Sequence, residues 1–321
     1  MRITVVTSLY HSAPYIHEFY ERTSKALQTL QIPFDFIFVD DGSPDNSSLI
    51  VHELMKTNKN IKLVVLSRNF GHFKAILTGL SYAENDLIFL MDCDLEEPPE
   101  ILPTLYEKMK SAPPEDPIDI VHALQSHRKG EWFERITGAV FYKVFNWLAQ
   151  VKIPSNGMNV RLMTRRYVQS LLLHQEREIF LSGILVDTGF RQEVIYAQKG
   201  YKGKTSYTLE KKLTMVVDAI TSFSHKPLIF IFLLGTTISF ISLGGIFCFL
   251  LAKLIWGITY LVGWASIMLT ICFFGGLSLA SIGIVGIYIG KIFIEVKKRP
   301  CIVKDVFPKS PKNKKKITGN W

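Results

Sequence analysis

A chain of 321 residues with 37 Lys and Arg against 28 Asp and Glu carries a formal charge of +9, and 48% of it is hydrophobic. Its mean hydropathy of +0.20 is high for a protein living wholly in water, and its four cysteines have neither the spacing of a zinc site nor that of a disulfide framework. The basic excess comes with no helix-turn-helix pattern and no aromatic RNA platform, so nucleic acid is excluded as the expected partner and anionic lipid headgroups are favoured.

Ile3 to Thr7 reads as a strand, and the amino terminus is too short in apolar residues for a signal peptide. Residues 1–208 are therefore expected to stay on the side where they are made. Apolar or aromatic residues at Ile16, Phe19, Tyr20, Leu27 and Leu30 predict a helix over Tyr15 to Leu30. Phe34 to Val39 is the next strand, closed by the turn formers Asp40-Asp41-Gly42-Ser43-Pro44-Asp45. A helix through Leu49 to Met55, a strand over Leu63 to Leu66, a helix near Lys74 to Ala83 and a strand over Leu87 to Leu90 follow. Such alternation predicts an α/β domain with a mostly parallel sheet and helices on both faces, a nucleotide-binding architecture.

Directly after that last strand comes Met91-Asp92-Cys93-Asp94-Leu95-Glu96-Glu97-Pro98-Pro99-Glu100. If the chain stays extended, Asp92, Asp94 and Glu96 share a face and their carboxylates converge. Such a group repels itself unless a cation sits among it, and Mg2+ or Mn2+, which take oxygen ligands and leave positions for phosphate oxygens, suit it. One Asp-x-Asp arises by chance in roughly one chain of this length. Position strengthens the reading, because the prolines force a turn just where open α/β sheets bind ligands.

Beyond Pro113-Pro114 a strand is expected over Ile118 to Ala123 and a helix over Trp132 to Leu148, read as a core helix or as one resting on a membrane interface. Leu209 to Phe223 repeats the helical spacing, and residues 209–226 read as a juxtamembrane amphipathic helix. Residues 227–252 and 262–290 contain no charged residue, and each exceeds the roughly 20 residues that cross a hydrocarbon core. Lys291, Lys297, Lys298, Arg299 and Lys304 follow the second, so the positive-inside rule puts 291–321, a basic tail, in the cytoplasm with the large domain. The expected protein is integral to a membrane, with two spans and both termini cytoplasmic. Gly275-Gly276, Gly283 and Gly286 permit close helix packing, within one chain or in a homo-oligomer.

In order, FIFVDDGSPDNS, LSRNFGHFKAILTGL, MDCDLEEPPE, GEWFERITGAVFYKVFN, VRLMTRR, GFRQ and GIVGIYIGKIFIEVKKRP resemble the polyprenyl-phosphate glycosyltransferases of family 2, such as the dolichyl-phosphate mannose synthases and bacterial bactoprenol glucosyltransferases. The resemblance implies a GT-A domain moving a monosaccharide, with inversion, from a nucleotide-diphosphate sugar, UDP-sugar favoured, to a polyprenyl phosphate such as undecaprenyl phosphate. It implies a bacterial inner membrane location and supply of a lipid-linked sugar for surface glycan modification. It carries the metal site onto Asp92 and Asp94, with Glu96 where relatives usually have Gln, and makes Asp94 and the position of Asn159 catalytic. Asp40 and Asp41, with the segment from Thr7 to Tyr10, correspond to nucleoside-binding residues.

The chemistry asks chiefly for charge management. A phosphate monoester with a second pKa of about 6 is already a dianionic nucleophile at neutral pH, so cationic side chains must hold it near the carboxylates. Arg68 with Asn69 beside it, Lys74, Arg128, Arg135, Arg161 and Arg177 are the candidates. Relatives have Asp where this chain has Asn159, and an amide is no proton acceptor at neutral pH. That change motivates the competing expectation, a degenerate nucleotide-sugar-binding membrane scaffold without catalysis.

Overall fold

The computed structural model describes residues 1–125, 157–174, 176, 181–198, 224, 226–256 and 263–308. The chain divides into two compact units, one of Met1–Lys143, Val151–Thr208 and Lys298–Trp321, the other of Val144–Gln150 and Leu209–Lys297.

In the first unit β1 (Ile3–Leu9), α1 (Ile16–Thr29), β2 (Phe34–Asp40), α2 (Ser47–Thr57), β3 (Ile61–Leu66), α3 (His72–Ser81) and β4 (Leu87–Leu90) alternate as the periodicity predicts. A 3-10 turn at Pro99–Ile101 opens α4 (Leu102–Lys110); β5 (Ile120–Gln125), β6 (Gly157–Thr164), α5 (Arg165–Leu171), α6 (Leu181–Asp187) and β7 (Gln192–Ala197) follow. With β8 (Val303–Phe307) they form one sheet in the order β7-β5-β6-β4-β1-β2-β3-β8. The four central strands are parallel. β6 runs antiparallel to both β4 and β5, and β8 antiparallel to β3.

The central strands are buried on both faces, which is why they read as nearly unbroken apolar runs. Ile3, Val5, Phe36 and Phe38 join Phe19 and Leu27 of α1, Val51 of α2 and Leu102 and Leu105 of α4 in one core. The alternate residues Val6 and Val39 meet α3 on the other face, where a Cβ at Gly79 would stand 2.6 Å from Val6 Cγ1 and 2.8 Å from Val39 Cγ2. Strand order reverses beside β1, between β2 and β4, so the carboxyl ends of β1 and β4 flank the crevice that α/β sheets use for ligands.

The second unit contains α7 (Lys226–Trp256, 31 residues) and α8 (Trp264–Lys297, 34 residues). Among the described residues one stretch, Phe273–Lys297, is long and apolar enough to cross a membrane, and Lys226–Ile238 is a shorter apolar stretch. The helix expected over Trp132 to Leu148 and the interfacial one over Leu209 to Phe223 lie outside the described residues.

The reading of 291–321 as a basic tail fails at Val303–Phe307, which is a strand of the first unit's sheet. Val303 and Val306 are both buried, although a strict period of two would put them on opposite faces. The register slips between Val65, paired with Asp305, and Leu66, paired with Val303, and the extra residue turns both valines inward.

Candidate functional site

Two corners form at the carboxyl edge of the parallel strands. At the first, the end of β2, Asp40 accepts the Ser43 N–H at 2.7 Å and the Ser48 hydroxyl. Asp41 accepts the N–H groups of Phe70 and Gly71 at 2.7 and 2.9 Å. Both carboxylates are buried. Burial pushes Asp41 above the ordinary carboxylate range, against the pull of those two N–H groups. Gly42, at φ +65°, lets the turn press on the loop after β3, since a Cβ there would lie 2.6 Å from Arg68 C and 2.7 Å from Asn69 N.

Asp45 ties this turn to the segment between β1 and α1, accepting the Ala13 N–H at 3.0 Å and the Ser43 and Ser47 hydroxyls at 2.6 Å each. Burial alone would raise its pKa, but these bonds outweigh it and bring Asp45 down to about 2. Tyr10 is exposed, its ring edge-on to His11. Thr7 is buried and alternates with Val5 and Leu9 on the core side, so its backbone borders the corner while its side chain points away. Arg68 is exposed, lies 4.2 Å over the Phe70 ring and donates to the Asn69 carbonyl. Asn69 is exposed beside it, and Lys74 sits half-buried in the first turn of α3.

At the second corner Asp92 is the hub. His72, opening α3, stands 3.3 Å from Asp92 Oδ1 through Nε2 and 2.9 Å from Ser8 Oγ through Nδ1. An imidazole protonated at Nε2 satisfies both, donating to the carboxylate and accepting from the hydroxyl. The Asn159 amide donates to Asp92 Oδ2 at 2.7 Å. A carboxylate at 159 would face Asp92 with like charge at that distance, so the amide holds Asp92 without needing a proton or a cation between them.

The acidic segment does not remain extended. β4 ends at Leu90, Leu95 adopts φ +59°, and Asp94 Oδ1 accepts the Glu96 N–H at 3.1 Å. Because the chain turns there, the shared face expected of Asp92, Asp94 and Glu96 is lost. Among the described residues no group of three His, Cys, Asp or Glu side chains is placed to hold a metal by itself.

Glu97, which falls outside the alternate spacing of Asp92, Asp94 and Glu96, is buried and accepts the N–H groups of Asn159 and Val160 at 2.9 and 2.6 Å. It fastens the acidic turn to β6. Arg161 is also buried, with Nε and Nη2 on the carbonyls of Asn159 and Met158 at 2.9 and 3.0 Å. Burial pulls its pKa down, and Tyr167, Glu97 and Asp92 counter that pull. Arg161 is thus a brace behind Asn159. An Arg inside the apolar run Val160 to Met163 demands a buried counter-charge, and that demand is the sequence signal that could have pointed to Glu97. Arg128, Arg135 and Arg177 lie outside the described residues.

An α/β domain with a carboxylate-rich corner at its strand-order reversal has the architecture in which open α/β sheets bind ligands. The family profile described as Glycosyl transferase family 2 matches residues 4–168, and the chain belongs to that family. A protein of Mycobacterium tuberculosis (strain CDC 1551 / Oshkosh) named "Putative glycosyltransferases" is 41% identical over 300 residues, covering 94% of this chain and 86% of the relative. The "Prophage bactoprenol glucosyl transferase homolog" of Escherichia coli (strain K12) is 30% identical over 303 residues, covering 94% of this chain and 97% of the relative. The structure of a Pyrobaculum calidifontis mannosyltransferase with GDP-Man and Mn2+ gives a TM-score of 0.48 at 16% identity over 68% of this chain and 62% of that one.

Proposed function

We propose that this glycosyltransferase has a GT-A domain that moves a monosaccharide from a nucleoside-diphosphate sugar, favouring UDP, to the phosphate of a polyprenyl lipid, with inversion. The observation that carries the reading is the Ser8–His72–Asp92–Asn159 network at the strand-order reversal, joined to the Asp40–Asp41 corner through the Phe70 and Gly71 amides that precede His72. The relative named for bactoprenol glucosyl transfer aligns along 94% of this chain, apolar helices included, and supports the lipid acceptor.

Asp40 and Asp41 border the nucleoside, and Asp92 and Asp94 flank the diphosphate. Asp92 and Asp94 would hold a divalent cation, Mg2+ or Mn2+, both of which take oxygen ligands. Bound there, the ion would stabilise the negative charge of the departing diphosphate. Asn159 and His72 fix the Asp92 carboxylate, and Arg68 and Lys74 offer charge at the rim. Arg128, Arg135 and Arg177 are proposed for the acceptor phosphate, which attacks the anomeric carbon as a dianion and needs no strong base.

The chain leaves its first unit after Thr208 and returns to it at Lys298, which permits only an even number of crossings. With Phe273–Lys297 able to cross, that count supports α7 as a second span, with both ends of the chain on the cytoplasmic side.

Membranes holding the chain, given labelled UDP-sugars, Mn2+ and undecaprenyl phosphate, should form a labelled lipid-phosphate sugar. Formation should stop with chelator and fall at least about a hundredfold in Asp94→Ala, the scale of losing a principal transition-state contact. No metal-dependent product across a broad donor panel overturns the reading in favour of a non-catalytic scaffold.

A further inference from the structure

The segment after α8 is built into the wall of the donor corner. Cys301 is buried, with Sγ 3.8 Å from Thr78 Oγ1 of α3, the helix that begins with His72. The Ile302 carbonyl accepts the Ser67 N–H at 3.0 Å, at the first residue after β3. From there Val303 to Phe307 pairs along β3, and the Phe307 ring meets His52 of α2 edge-on at 4.5 Å between centroids. The register slip falls at Val65–Leu66, immediately before the loop.

That loop is short and every part of it is engaged. Ser67 is held by Ile302, Arg68 and Asn69 are pressed against Gly42, and Phe70 and Gly71 are bonded to Asp41. Strand and loop are thus held on one side by residues before the apolar helices and on the other by residues after them. Without β8, β3 would present an unpaired edge, and the loop would lose the bond that fixes its first residue.

We propose that Cys301–Phe307 is a positioning element for nucleotide-sugar binding. It sets the Ser67–Gly71 loop against Asp40–Asp41, so that donor affinity depends on a segment reached only through α8. This rests on the donor-binding reading above. Because coupling between two sites is reciprocal, a bound donor also tightens β8 against β3.

The test uses the full chain in detergent or nanodiscs, with UDP-glucose or GDP-mannose plus Mn2+ as probes. In the unaltered chain, a saturating probe should slow amide hydrogen exchange in the peptide covering 301–307 by about tenfold, within the usual range of such couplings. Val303→Asp should raise the donor KM about tenfold, leaving kcat at saturating donor within about twofold and the lipid-acceptor KM unchanged, the pattern of lost donor binding. Exchange at 301–307 that ignores a bound probe overturns the inference while leaving the proposed function standing. An equal fall in kcat, with donor KM unmoved, overturns it in the same way. Should Val303→Asp not fold, the exchange measurement on the unaltered chain decides. Failure of the unaltered chain to bind any member of the broad donor panel overturns both readings.

Discussion

Glu97 shows how far a single carboxylate can act when it is buried. Its two oxygens take the N–H groups of Asn159 and Val160, and its charge balances Arg161 behind them. Glu97→Gln keeps the shape but removes that charge. It should destabilise the chain by about 1–3 kcal/mol, the cost of weakening charged hydrogen bonds and leaving a buried partner unbalanced. Thermal melting of the solubilised protein measures it; a variant that melts with the unaltered chain would refute the role. The sequence announced the acidic run but not which carboxylate faces inward, because that choice depends on a turn at Leu95 and on β6, more than sixty positions away. His72 gives no signal in the sequence for the same reason, since its partners come from separate parts of the chain, Ser8 from β1 and Asp92 from the turn after β4.

Among elements, those with a clean period were legible and those that mix periods were not. β1 to β4 and the helices between them announce themselves through apolar runs and helical spacing. β6 carries Asn159, Arg161 and Thr164 among its apolar residues, and the polar positions that serve the site blur its pattern. β8 is hidden by lysines before it and by a register slip inside it. The packing of α3 on the sheet is tight enough to specify a glycine. Gly79→Ala would place a methyl group 2.6 Å from Val6 Cγ1, and overpacking of this kind should cost about 1–3 kcal/mol. A combined Gly79→Ala and Val6→Ala variant should recover part of that loss in a chemical-denaturation series, and additive losses would argue against the contact.

At the scale of the whole molecule, pH should act on folding through the far side of the sheet. His122 on β5 is buried and stands near Arg161; burial first, and that charge second, pull its pKa from 6.5 to about 4. The folded chain therefore keeps His122 neutral while the unfolded chain protonates it. Stability from this group is fully present above about pH 6.5 and is lost as pH falls toward 4. The complete loss amounts to about 3 kcal/mol. His122→Asn should flatten the fall in melting temperature between pH 7 and 5, and an unchanged slope would assign the acid sensitivity elsewhere.

The pairing of β3 with β8 also fixes an order of events. Leu66 and its partner Val303 lie on either side of the apolar helices. At ribosomal speeds of about 5–20 residues per second, β3 would wait on the order of ten seconds or more for its neighbour. The edge of β3 in a newborn chain thus stays unpaired until α8 has left the ribosome, which ties completion of the sheet, and of the donor corner proposed above, to the delivery of the apolar helices.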